Sequence, residues 1–131
     1  MRRNPSLGFF GIFGRSGDLR ALDQALRAAD LHPNLVPDAV KLTVLTLLKD
    51  ARGENPKPQD YGETAALLAY CALGHDAFAV SNGELAASYA ERRIEAALES
   101  GEGLDASLIL LTLHAGIVHP RLKEAYQLES E

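Results

Sequence analysis

The sequence predicts an all-α protein: a compact bundle or orthogonal array of five to six helices around a single core. Three observations carry that expectation. Apolar residues recur at three- and four-residue spacing in successive stretches, strand-like alternation is absent throughout, and glycine- or proline-rich breaks separate the stretches. With 131 residues, 47% of them hydrophobic and 24% charged, the chain suits one ordinary globular core rather than a disordered or fibrous class.

The elements follow in order. Asp18 stands as an N-cap before Leu19, Leu22, Leu26 and Ala29, whose spacing draws one helical stripe ending near Asp30. "LHPNLVPD" makes a short connection, and Pro37 with Asp38 opens a second helix that runs to about Ala51. Its Val40, Leu42, Val44, Leu45, Leu47 and Leu48 cover more than half the circumference, which predicts a central helix surrounded by others. Residues 52–60, with two prolines and a glycine, read as a loop. Asp60 offers an N-cap with Glu63 three residues later, and the nearly all-apolar "TAALLAYCAL" follows as far as Gly74.

"HDAFAVSNG" reads as a turn or short helix, and Asn82 then caps an amphipathic helix over Glu84 to Glu99. The expected inner face of that helix is Leu85, Ala86, Tyr89, Ala90, Ile94, Ala97 and Leu98; Glu91, Arg92, Arg93, Glu95 and Glu99 read as its solvated outer face. Asp105 caps a further helix from Ala106 to about Val118, apolar enough that His114 is expected inside the core. A terminal turn "RLKEAYQL" ends the pass. Ala21, Ala25, Ala28, Pro33 and Leu42 are spaced as at the join of two tetratricopeptide units, but Thr43 and Thr46 stand where that repeat has glycine and tyrosine, so the likeness is to helix hairpins in general.

Two regions are expected: a Gly/Phe-rich arm over residues 1–17, and a helical domain over residues 18–131. In the arm Gly8, Gly11, Gly14 and Gly17 recur at every third position among Phe9, Phe10, Ile12 and Phe13. Three readings are open for it. The aromatic residues pack on the chain's own core, or they anchor the arm in a groove of a partner or second copy, with Arg15 beside them. A third reading, contact with an anionic membrane surface, is disfavoured because four glycines make a poor amphipathic helix.

Charge and cysteine usage exclude several classes. Thirteen basic residues against eighteen acidic ones leave a net charge of −5, a poor footprint for nucleic acid. The balance is uneven, since residues 1–20 carry Arg2, Arg3, Arg15 and Arg20 against Asp18 alone. The lone Cys71 cannot form an internal disulfide, which suits a reducing compartment and a cytoplasmic location. The apolar run from Leu108 to Val118 is about half the roughly 20 residues that a membrane-spanning helix needs.

The chemical motifs are weak. Gly14-Arg15-Ser16 mimics the end of a phosphate-binding loop, but Phe9 replaces the first glycine, arginine replaces the lysine, and no strand precedes it. Cys71 and His75 lie four apart, and with His114 they are the candidates for a thiol or metal site, one soft ligand short of a usual zinc set. "LHPNL" and "VHPRL" repeat one form at residues 31–35 and 118–122, and helix termination explains both. The expectation is therefore a protein-interaction or regulatory module that self-associates through Phe9, Phe10, Ile12, Phe13 and Arg15. No cofactor, metal or small-molecule ligand is expected; a small enzyme using Cys71, His75 and His114 in a cleft between the third and fifth predicted helices is the alternative.

Overall fold

A computed structural model describes the backbone from Pro5 to Leu128 and the side chains from Gly17 to Leu128. Within it seven α-helices form an all-α array with no strand among the described residues: α1 (Pro5–Ala28), α2 (Asp38–Arg52), α3 (Pro58–Leu73), α4 (His75–Asn82), α5 (Glu84–Ser100), α6 (Leu104–His114) and α7 (Pro120–Tyr126), with a 3-10 turn over Pro33–Leu35. The count exceeds the expected five to six because "HDAFAVSN" closes two full turns and "PRLKEAY" nearly two. Phe78 gives α4 its reason to exist: it is buried and meets Tyr70 edge to face, with ring centroids 5.3 Å apart.

The central helix is α3, not α2. It packs against α1, α2, α4, α5 and α6, and its consecutive Leu67, Leu68, Ala69, Tyr70 and Cys71 are all buried, as only a helix enclosed on every side allows. On α2 the buried stripe is Val40, Val44, Leu45 and Leu48, while Leu42 reaches the surface. Lys41 is the buried cation of α2, held at 2.9 Å by Asp23 of α1.

Three expected N-caps do other work. Asp18 lies inside α1, where its carboxylate accepts from the Tyr61 hydroxyl at 3.1 Å and pairs with Lys49. Asp105 lies inside α6 and accepts from Arg93 of α5, whereas Asp60 still serves the start of its helix, as the third residue of α3 accepting from the Lys57 backbone N–H at 2.8 Å. Asn82 donates to the Ala29 carbonyl at 3.0 Å, tying α4 to the end of α1. Glycine stands at the cap positions of α5 and α6 instead.

α5 buries Ala90, Ile94 and Ala97 of its expected inner face but turns Leu85, Tyr89 and Leu98 outward. Its buried stripe is Ala87, Ala90, Ile94 and Ala97, whose small side chains let α5 approach α3, α4 and α6 closely, while Leu85 is 88% exposed. Tyr89 and Leu98 are likewise exposed. α6 also stops earlier than expected, at His114, and that histidine is exposed rather than buried. The reason is a left-handed turn: Gly116 at φ +76° ends the helix, so the last turn lies at the surface and Leu110 shares its exposure.

Candidate functional site

A cleft of 540 Å³ opens where α3 ends at Gly74, lined by residues from α3, α4, α5 and α7. Its size is that of a ligand pocket or a socket for a few side chains. Gly74 creates the junction. With φ at +87° it turns the chain directly from α3 into α4, and a Cβ there would meet the His119 ring at 3.0 Å. His119 in turn fixes α7 against α3: its backbone N–H donates to the Cys71 carbonyl at 2.8 Å, and its Nδ1 accepts from the Arg121 N–H at 3.1 Å.

The second His-Pro pair is built alike. His32 Nδ1 accepts from the Asn34 N–H at 3.1 Å, with Pro33 in the first helical position. Both histidines therefore begin a helical turn rather than terminate the one before. An acceptor side chain at the cap with proline following it satisfies the first free N–H and presets φ.

Tyr70 forms the buried wall of the cleft. Its hydroxyl and His75 Nδ1 lie 2.7 Å apart, with the rings edge to face, and the far nitrogen of His75 stands 3.9 Å from Glu84. Burial, together with Tyr126, Glu91 and Glu95 nearby, holds the Tyr70 phenol protonated far above its usual range. The Tyr126 phenol moves in the same direction by burial, with Glu91 and Glu95 adding to it. Glu91 and Glu95 thus place negative charge near both phenols. Leu73, Ala77, Leu122 and Ala125 supply the apolar surface of the cleft. Arg121, the cation of the rim, faces Asp76 at 3.8 Å with both side chains largely in solvent.

Only one of the three expected thiol or metal residues lines this cleft. Cys71 is 1% exposed; burial pushes its thiol up to about 12, against the lowering effects of a hydrogen bond with Thr112 and of Arg93. His114 stands on the surface at the end of α6, and His75 lines the cleft. Among the described residues no three His, Cys, Asp or Glu side chains are grouped to hold a metal ion. The expected partner-binding residues Phe9, Phe10, Ile12, Phe13 and Arg15 belong to α1 by backbone, and their side chains lie outside the described residues.

Sequence reasoning missed Tyr70, Glu91, His119 and Tyr126. "ERR" at residues 91–93 reads as one charged surface, yet Arg93 turns inward. Its guanidinium makes two 2.9 Å bonds to Asp105 and one of 2.8 Å to the Glu63 carbonyl, joining α5, α6 and α3. Spacing was the available signal, since Arg93 is twelve residues before Asp105 across a glycine turn. Comparison with protein families, curated proteins and solved structures finds no match. No described helix is long and apolar enough to cross a membrane.

Proposed function

We propose that the protein is an interaction module that self-associates through its N-terminal segment. The observation behind this reading is the register of α1. The helix is continuous from Pro5 to Ala28, rather than starting at Asp18 after an irregular arm. Eighteen residues make five turns of an α-helix, so position 8 falls in line with buried Leu26 and position 11 close to buried Leu22. Both carry glycine. Position 9 falls in line with Arg27 and position 13 near Arg20, both exposed, and both positions carry phenylalanine.

The apolar stripe of the first half of α1 is therefore offset from the stripe that meets the core in its second half. An aromatic stripe in register with exposed positions suits docking onto another surface. Val80 and Leu85, at 87% and 88% exposure on either side of Gly83, add uncovered apolar surface elsewhere.

Deleting residues 1–14 tests the reading, because it leaves Leu19, Leu22 and Leu26 in place. Helix content by circular dichroism should fall only by the helix removed, while light scattering should report a smaller assembly. A truncated chain that unfolds, or that keeps the parent's assembly state, assigns the segment to the chain's own core instead.

A further inference from the structure

The cleft beside Gly74 and the N-terminal segment are complementary. Glu91 lines a cleft shared with Tyr70 and Tyr126, its charge acts on both phenols, and it makes no ion pair or hydrogen bond among the described residues. Arg121, an arginine of the same cleft, faces Asp76. An acidic residue in a cleft lined by phenol rings and aliphatic side chains suits a guanidinium carried next to an apolar group. Residues 1–20 supply that chemistry: four arginines against one aspartate, interleaved with three phenylalanines, in a chain whose net charge is −5.

Geometry decides whose segment it is. Asp18 is bonded to Tyr61 in the first turn of α3, and Ala29 to Asn82 at the end of α4, so α1 and α3 run in the same sense. The residues before Asp18 therefore leave from the beginning of α3, whereas the cleft lies at its end, roughly 20 Å away along a helix of this length. The helix back to Pro5 adds about 20 Å in the opposite direction. A chain cannot fill its own cleft while α1 remains helical.

We propose that this cleft is the receptor for the basic, aromatic N-terminal segment of a second copy, so that copies join head to tail. The proposal rests on the self-association reading above and adds its acceptor site. A heterologous contact of this kind propagates: each copy offers one segment and one cleft, so the assembly closes into a ring or continues as a chain.

Two full-length variants test it by sedimentation velocity at low salt: Arg2→Glu/Arg3→Glu, with its segment charge reversed, and Glu91→Lys, with its cleft charge reversed. Each alone should self-associate at least roughly tenfold more weakly than the wild type. Mixed in equal amounts they should associate again, because the intact segment of one meets the intact cleft of the other. Should the Glu91→Lys variant melt early, Glu91→Gln replaces it in the same measurement.

Four outcomes overturn the proposal. Wild-type association by Glu91→Lys removes the cleft as acceptor and leaves segment docking standing. A mixture of the two weakened variants that stays monomeric removes the head-to-tail arrangement. Wild-type association by both variants, or a monomeric wild type at every concentration, removes the self-association reading with it.

Discussion

Arg93 and Glu91 stand two residues apart on α5 and meet opposite fates. Two residues turn a helix by about 200°, so the Arg93 guanidinium points to the junction of α3, α5 and α6 while Glu91 lies on the side of α5 that lines the cleft. Arg93 is answered fully, by both oxygens of Asp105 and by the Glu63 carbonyl, at 13% side-chain exposure. Glu91 is answered by nothing in the described chain. The difference teaches that a run of like-looking surface charges is divided by the fold into one residue that holds the helices together and one that forms no bond among the described residues.

The largest effect should separate the two residues directly. Arg93→Ala leaves Asp105 and the Glu63 carbonyl without their donor in a mostly dry junction, and should cost about 3 kcal/mol in chemical denaturation. Glu91→Ala should change stability by less than about 0.5 kcal/mol. Comparable losses for both would abolish the contrast.

A second prediction sharpens the distinction between core and cleft through pH. The Cys71 thiol, ordinarily ionising at 9.0, is pushed up to about 12 by burial, and the Tyr61 phenol rises from 10.0 to about 12 by burial and by Asp18. In both cases the folded state binds the proton more tightly than the unfolded one. Their contribution is therefore complete below pH 9 and is lost as pH climbs toward 12. The thiol alone should cost about 1.4 kcal/mol for each pH unit above 9. Cys71→Ala should delay the alkaline loss until the tyrosines begin to ionise, and native Cys71 should alkylate slowly below pH 9. Rapid labelling of the folded protein would place the thiol outside the core.

Gly74→Ala should cost about 1–2 kcal/mol in thermal melts, because a side chain at φ +87° is strained and its Cβ meets the His119 ring. If the cleft is the docking site, the same substitution should weaken self-association as α7 is displaced.

The smallest effect falls on His114. Burial among leucines would make His114→Asp severely destabilising, but the residue is exposed at the C-terminal end of α6. The expected cost is below about 1 kcal/mol, arising from a negative charge beside the helix's negative pole, with His114→Leu near neutral. A large loss in His114→Asp would mean that the last turn of α6 is packed.

The sequence by itself determined the helical class and the breaks at Gly74, Gly83 and Gly101, as well as the burial of Leu22, Leu26, Val44, Leu68, Cys71 and Ile94. These follow from local chemistry: apolar period, backbone freedom and the cost of exposing large side chains repeat within a few residues. The caps were less legible. Asp18, Asn82 and Asp105 carry the oxygen a cap requires, but each found a partner on another element.

Only the tertiary structure decided which faces meet. Leu85 and Tyr89 outrank Ala87 in bulk and were expected inside, yet Ala87 is buried and they are exposed, because close helix approach at α3 and α6 rewards small side chains over large ones. The cleft was beyond local reading for the same reason. Tyr70, Glu91, His119 and Tyr126 come from four separate places in the chain, and what brings them together is the turn at Gly74 and the bond from His119 to the Cys71 carbonyl, a contact across 48 residues that no helical period encodes.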